Sequence, residues 1–506
     1  MAKAFSKVLV ANRGEIAIRI FRTCHELGIE TVAVYSEADR TAPHVWSAGE
    51  SYLIGPAPAR QSYLVIGNIL DAAKQSGAEA IHPGYGFLTE NPEFAEAVND
   101  AGLVWIGPPA SSMRLLGDKT SARKMAEEND VPVVPGTDQP VVDLKEAIKA
   151  AEQLGYPVLL KAAAGGGGKG MRVVDSGEER GDSLKLARSE AGSAFGDESV
   201  FIEKYMARPR HVEFQIMADS HGGCVWLGER ECSVQRRHQK IIEETPSPAL
   251  DPQLRQRMGA AAIKIAAAAD YRGAGTVEFL LEKGEFYFLE VNTRLQVEHT
   301  VTEMVTGRDL VSDQLRIAAG HPMGYNQEEI KPSGYSIEMR IYAEDPDNNF
   351  FPSPGLIDHI EVPSGPGIRH DSGVTVGSEI TLHYDPLISK LVAWAPTRNG
   401  MINRINRALE EYQIIGVTTI IPFLREILAN EVFQSGEYDT HIVPEMMARR
   451  AGEDMDRNVF LAAVATALFR DSKQSSPAVA DRRKSERKGR EGGWVMKGRE
   501  LREWKK

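Results

Sequence analysis

The chain has 506 residues, 42% hydrophobic and 26% charged, with a formal net charge of −12. That length and composition read as a soluble globular protein of about two to four domains, and the negative body argues against non-specific nucleic-acid binding. With no run of about eighteen apolar residues and no apolar leader, neither a membrane span nor a secretory signal is expected. Cys24, Cys224 and Cys232 form no CxxC pair, so buried thiols in a reducing cytoplasm are expected rather than disulfides or zinc.

In chain order, "KVLVAN" is a short apolar strand. "RGEIAIRIFRTCHELG" follows with Ile16, Ile20, Cys24 and Leu27 at helical spacing and stops at Gly28; "ETVAVYS" is the next strand. This βαβ pattern, repeated through "AEAIHPGYGFL" and "GLVWIGP", predicts an open parallel α/β domain over residues 1–115. Its first turn carries one glycine, Gly14, so a dinucleotide site there is not expected. Residues 116–131 read as a connecting segment, and the Pro-rich "VPVVPGTDQPV" opens a small segment, 132–205. From 206 to 446 strands dominate, with a late helix in "NRINRALEEYQI"; 447–506 reads as an extra amphipathic helix and a disordered tail. Asp481–Lys506 holds eleven Lys or Arg against five Asp or Glu, a basic end on an acidic protein.

The glycine run in "PVLLKAAAGGGGKGMRVV" is not a P-loop. Ala163 stands where the first glycine is required, and Gly170 where Ser or Thr should follow the lysine. β-rich flanks instead predict a hairpin tipped by glycines, a flap whose backbone N–H groups can approach a polyphosphate; a plain surface turn is the rival reading. Lys161 beside it is a candidate phosphate contact.

"TVEFLLEKGEFYFLEVN" predicts a second hairpin. A three-residue loop Lys283–Glu285 would pair Val277, Phe279 and Leu281 with Val291, Leu289 and Tyr287, and set Glu278 directly opposite Glu290. Like charges so placed repel, and with Asn292 nearby they suit Mg²⁺ or Mn²⁺ shared with phosphates; an exposed acidic face is the alternative. If the chain stays extended, Glu290, Asn292, Arg294, Gln296 and Glu298 form one row about 27 Å long at roughly 3.3 Å per residue. Glu290 and Asn292 would then hold metal, Arg294 and Gln296 a small anion, and Glu298 would be a possible general base, a grouping suited to phosphoryl transfer. In "ERECSVQRRHQKIIEE", Gln235, His238 and Lys240 could reach a nucleotide or an anion.

Seven motifs in order, "NRGEIAIRI", "IHPGYGFLTEN", "GDKTSAR", "AAAGGGGKGMR", "ERECSVQRRHQK", "EVNTRLQVEH" and "RIYAEDP", resemble the biotin carboxylase family of the ATP-grasp superfamily over residues 4–446. The resemblance implies an α/β and α+β, three-domain ATP-grasp architecture: an N-terminal open parallel sheet, a small glycine-flap lid over 132–205, and a mixed or antiparallel C-terminal domain over 206–446. It implies attack of bicarbonate on the γ-phosphate of ATP to give carboxyphosphate, then transfer of the carboxyl group to biotin on a partner protein. By motif match, Lys119, Lys161, Gly167, Gly168, Glu203, Lys204, Met206, His211, Gln235 and His238 resemble ATP contacts, and Glu278, Glu290 and Asn292 the ligands of Mg²⁺ or Mn²⁺. Lys240, Arg294, Gln296 and the Val297 backbone resemble the bicarbonate pocket, Glu298 its base, Arg340 the group that stabilises the biotin enolate, and Tyr85 a neighbour of biotin. No "AMKM" biotin-acceptor sequence occurs; the expectation is a free-standing, homodimeric, cytoplasmic subunit of an acetyl-CoA, acyl-CoA or pyruvate carboxylase. Its partners would be a biotin carboxyl carrier protein and a carboxyltransferase, and its tail is a candidate docking segment. The rival readings are another ATP-grasp ligase that activates a different carboxylate, and a nucleotide-binding scaffold without activity.

Overall fold

The computed structural model describes residues 5–137, 139–141, 143–162, 171–175, 189 and 200–450. Met1–Met446 forms one compact unit and Met447–Lys506 a second, described only at residues 447–450. The glycine run, with Gly167 and Gly168, and the tail helix expected near 458–472 lie outside the described residues.

The first sheet is parallel, in the order β3 (Glu50–Gly55), β2 (Glu30–Ser36), β1 (Lys7–Val10), β4 (Ala80–His82), β5 (Val104–Trp105). The apolar stripe of the helix Gly14–Glu26 closes on it: Ile16, Ala17, Ile20 and Cys24 pack with Val8 and Val10. The strand order reverses between β1 and β4, where the strand ends of an open α/β sheet leave a crevice. Asn12, just past β1, donates from Nδ2 to the carbonyls of Pro83 (2.7 Å) and Tyr85 (2.8 Å), fixing the loop that carries Tyr85.

The next sheet is β7 (Met171–Val174), β6 (Val158–Ala162), β8 (Val200–Lys204), all antiparallel. The two strands expected to flank the glycine run are therefore antiparallel neighbours, with Lys161 paired to Met171. Ala147 and Ala151 of the helix Leu144–Leu154 cover it, packing with Val158, Leu160, Val174 and Ile202.

The third sheet is antiparallel: β13 (Glu285–Asn292), β12 (Gly273–Glu282), β9 (Arg210–Ala218), β10 (Cys224–Arg236), β11 (Gln239–Thr245), β14 (Tyr335–Tyr342), β21 (Leu387–Ala395), β19 (Ile368–Ser372). Short ladders complete the region: β15 (Glu344–Asp345) with β16 (Phe351–Pro352), β17 (Gly355–Leu356) with β20 (Glu379–Ile380), and β18 (His359–Glu361) with β22 (Gln413–Ile415). Alternation assigns the two faces of the large sheet. Val212, Phe214, Ile216, Val277 and Phe279 pack against Leu254, Met258, Ala262 and Ile265 of the helix Pro252–Ala268, whereas His211, Glu213, Gln215, Thr276 and Glu278 point the other way. That helix, capped by Asp251 with Pro252 behind it, is absent from the strand-dominated expectation, as are helices at His299–Thr306, Leu310–Ala318 and Ile421–Ala429. Residues 116–131, read as a connector, hold the helix Lys119–Glu128, whose Ala122, Met125 and Ala126 join the same core.

Two expectations for the glutamate hairpin are corrected. Its loop has two residues, not three: Glu282 pairs with Glu285 around Lys283 (φ +52°) and Gly284 (φ +82°), a turn of the type that twist-matches its strands. Phe279 therefore pairs with Phe288 and Leu281 with Phe286, not with Leu289 and Tyr287. A bulge then inserts Leu289, which shifts the register so that Glu278 does face Glu290, Val277 faces Val291 and Thr276 faces Asn292. Phe286, Phe288 and Val291 all join the core, and the change from even to odd numbers at Leu289 is what turns Glu290 and Asn292 to the polar face. The 27 Å row is also corrected: the strand ends at Asn292, and the chain bends at Arg294 and turns at Val297–Glu298 before a helix starts at His299.

Candidate active site

The polar face of the large sheet is built around Lys240. Its ammonium touches three carboxylates: Glu213, Glu278 Oε1 (2.9 Å) and Glu298 Oε1 (2.8 Å). Burial alone would lower this ammonium; the charges of Glu213, Glu278 and Glu298 outweigh burial and hold it well above the ordinary lysine range. Conversely, burial would raise Glu278 and Glu298. Lys240 and then His211 hold Glu278 well below the usual carboxylate range, and Lys240, Arg340 and Arg230 do the same for Glu298. Both are thus held as carboxylates.

Glu278 Oε1 also accepts from Asn292 Nδ2 (2.8 Å) and Gln296 Nε2 (3.0 Å), and Oε2 lies 2.9 Å from His211 Nε2. His211 Nδ1 meets Gln235 Nε2 at 2.7 Å. Arg294 bridges Asn292 Oδ1 (2.8 Å) and Glu90 Oε2 (3.0 Å). Although the chain bends after Asn292, it bends around this cluster, and so Glu298 returns to it through Lys240. Arg340 closes the far side, with Nη2 2.9 Å from Glu298 Oε2 and Nε 2.7 Å from Glu243 Oε1. Lys390, fully buried, donates to the Val297 carbonyl at 2.9 Å and lies 5.6 Å from the centre of the Tyr85 ring, which ties Tyr85 to the same turn.

The remaining expected residues lie around the edge. Glu290 is 39% exposed, with Lys119 Nζ 3.5 Å from its Oε2. Lys161 pairs with Glu203 across the lid sheet. Lys204 turns its ammonium to the carbonyls of Gly155 (2.7 Å) and Tyr156 (3.5 Å), and Met206 follows β8, half-buried. Arg237 and His238 form the tip of the β10–β11 hairpin, both at positive φ and exposed.

Sequence reasoning missed Glu213, Arg230, Glu243 and Lys390. Arg230 is fully buried and donates to Glu213 Oε1 (2.5 Å), Gln215 Oε1 (2.8 Å), Thr302 Oγ1 (3.0 Å), Thr276 Oγ1 (3.0 Å) and Gln296 Oε1 (2.6 Å), so it orients Gln296 and ties its loop to the sheet. Polar alternation in "HVEFQIMA" carried the signal: His211, Glu213 and Gln215 share a face, as Val212, Phe214 and Ile216 share the other.

The hard oxygen donors fit a Mg²⁺ or Mn²⁺ ion: a deprotonated Glu278, an opposed and accessible Glu290, and the Asn292 amide oxygen. Beside them lie the Arg294 and Gln296 side chains, the Glu298 carboxylate and the buried Arg340 guanidinium.

Three family descriptions cover the chain in this order: biotin carboxylase N-terminal domain over residues 4–113, carbamoyl-phosphate synthase L chain ATP-binding domain over 118–325, and biotin carboxylase C-terminal domain over 338–445. The chain belongs to the biotin carboxylase family. It is 51% identical over 442 residues to biotin carboxylase of Haemophilus influenzae, covering 87% of this chain and 98% of that one. It is 46% identical over 462 residues to the propionyl-CoA carboxylase alpha chain of Ruegeria pomeroyi, covering 87% and 68%. Among solved structures, the biotin carboxylase domain dimer of Hydrogenobacter thermophilus 2-oxoglutarate carboxylase, in complex with MgADP, ADP and bicarbonate, superposes with a TM-score of 0.81 at 48% identity, covering 88% of this chain and 98% of that one. The expected ATP-grasp fold, ligase class and ATP- and bicarbonate-dependent carboxylation of biotin stand with this membership.

Proposed function

We propose that the polar face of the large sheet carries out the first half-reaction of a biotin-dependent carboxylase with the residues placed there. The single observation behind this reading is the junction at Lys240, whose ammonium joins the proposed base Glu298 to the proposed metal ligand Glu278, while Glu278 accepts from Asn292 and Gln296 and Asn292 accepts from Arg294. Lys161, Glu203, Lys204, Met206, His211, Gln235 and His238, with Lys119, the Gly167–Gly168 flap and the lid, take the nucleotide. Glu278, Glu290 and Asn292 hold the divalent cation, which neutralises the triphosphate. Lys240, Arg294, Gln296 and the Val297 backbone hold bicarbonate. Glu298, kept deprotonated by Lys240 and Arg340, takes the bicarbonate proton as its oxygen attacks the γ-phosphorus and the P–O bond to ADP breaks. Arg340 then faces the oxygen of biotin's ureido group, where a guanidinium favours the deprotonated form, with Tyr85 beside it.

Biotin arrives on a carrier protein, and the carboxyl group passes on at a carboxyltransferase. A homodimer is proposed from the dimer of the Hydrogenobacter relative and from an open apolar concavity of about 650 Å³ lined by Phe21, Trp46, Val362 and Val376, of which Trp46 is 65% exposed. Three free thiols and the absence, among the described residues, of a helix able to cross a membrane support the cytoplasm as its compartment. The test is ADP formation by the purified chain with MgATP: turnover that requires bicarbonate and rises with free biotin supports the reading, and bicarbonate-independent ADP formation with an unrelated carboxylate overturns it.

A further inference from the structure

Behind Arg340 sits an arrangement the reaction above does not use. Glu243 of β11 and Glu338 of β14 are directly opposite one another across the ladder, and both are fully buried. Glu243 Oε1 accepts from Arg340, and Oε2 has no hydrogen-bond partner; Glu338 Oε2 accepts from Thr300 Oγ1, and its Oε1 likewise has none. Two ionised carboxylates on one buried rung would repel at low dielectric while each kept an oxygen stripped of water. One proton on the pair removes the repulsion and supplies a donor where none exists.

The charges around the rung agree. Glu243 faces Arg340, Glu298 and Glu338, and lies near the Cys232 thiol of β10. Glu338 faces Lys390 of β21, Arg340, Glu298 and Thr300 of the helix His299–Thr306. Among the described residues, Arg340 alone ion-pairs with Glu243, and Arg340 also serves Glu298. Burial pushes Glu243 up to about 8 against the pull of Arg340, and Glu338 up to about 7 against Lys390 and Arg340.

We propose that Glu243 and Glu338 hold one proton between them and act as a positioning pair for Arg340: with the proton present the guanidinium balances Glu298 and a single further charge, and with the proton lost a second charge draws it onto the sheet and away from biotin. This rests on the assignment of Arg340 to the biotin step. Sign and window follow from the raised carboxyls: the shared proton is present at neutral pH and is lost between about pH 7 and 9.

The variants Glu338→Gln and Glu243→Gln each reproduce the charge and shape of the pair with one proton. In the wild type, kcat/KM for free biotin falls as pH rises through this window. In Glu338→Gln that fall is suppressed, so the ratio of the rates at about pH 9 and pH 7 rises by about tenfold over wild type, roughly one pH unit of titration removed. Infrared difference spectra between the same two pH values show loss of buried carboxylic C=O intensity in the wild type, and this loss is smaller in either variant, where the remainder comes from buried Glu15, pushed up to about 7 by burial. Glu243→Gln carries the same test should Glu338→Gln not fold. Intensity undiminished from wild type in both variants overturns the shared proton, and diminished intensity with a wild-type pH profile overturns the positioning role. Absence of biotin-dependent turnover in the wild type is the separate failure of the functional reading, which the infrared band does not depend on.

Discussion

Replacing Lys240 with methionine removes one cation at similar side-chain length and leaves Glu213, Glu278 and Glu298 without their common partner. Breaking a buried ion pair from one side costs about 3–5 kcal/mol, because the remaining charge stays desolvated. The three contacts do not add, since one ammonium is desolvated once, and Arg230, Arg340 and His211 still neutralise part of the cluster. With about 2.1 cal/mol/K of unfolding entropy per residue, a cooperative unit of 446 residues would lose roughly 3–5 °C of Tm. The functional loss is larger: a positioned donor to a reacting anion is worth about 10²–10³ in rate. Lys240 is also the largest charge holding Glu298 and Glu278 down. Without it both carboxyls titrate at higher pH, so the acid limb of the bicarbonate-dependent rate moves upward and the acid side of the stability curve follows it. Differential scanning calorimetry and coupled ADP assays across pH read these effects. A Lys240→Met protein with bicarbonate-dependent turnover within about threefold of wild type and an unmoved acid limb refutes the reasoning from Lys240 to Glu298.

Three further expectations concern separate parts of the site. Glu290→Gln keeps the strand and removes one of two opposed carboxylates, so the Mg²⁺ concentration for half-maximal ATP cleavage rises by about tenfold or more; an unchanged Mg²⁺ titration removes Glu290 from the metal site. Arg340→Lys keeps the charge but not the fork that spans Glu243 and Glu298. Stimulation of ADP formation by free biotin falls by about 10²–10³, while bicarbonate-dependent ADP formation without biotin falls less; equal losses in both assays place Arg340 at the bicarbonate step instead. Deleting Leu289 removes the bulge and makes Glu290 the residue after Phe288, so plain alternation keeps Glu290 on the polar face opposite Glu278 while Phe286, Phe288 and Val291 stay in the core. Calorimetry and the coupled assay show a deletion protein that folds and keeps Mg²⁺-dependent turnover, and a folded deletion protein that loses this turnover shows that the register does not set the metal site.

How far the site was legible in the sequence is clearest at this hairpin. That Glu278 and Glu290 share the polar face follows from burial alone, since any register that hides Val277 and Val291 turns both glutamates the other way. The route to it does not. Lys283–Gly284 makes a two-residue turn, and a strand read with strict period two would then send Glu290 into the core. A bulge is a count of one residue, and apolar Leu289 in an apolar run gives alternation nothing to register. The same limit hid the bend after Asn292: polar residues at every second position are equally consistent with a strand and with a loop that wraps a centre, and only the three carboxylates gathered on Lys240 select the second. Arg230 and Glu243 were illegible for another reason. A buried charge is disfavoured in sequence reading because its cost is certain and its partners are unknown. Here the partners come from strands and a loop far apart in the chain, with Arg230 meeting Glu213, Thr276 and Gln296, so the residues that hold the reacting groups in place look like ordinary strand charges until the sheet order is known. Local motifs expose the groups proposed to touch substrate, because those need fixed neighbours. Groups that only position others need a fixed place in the fold, and that information is spread over strand pairings that no single stretch contains.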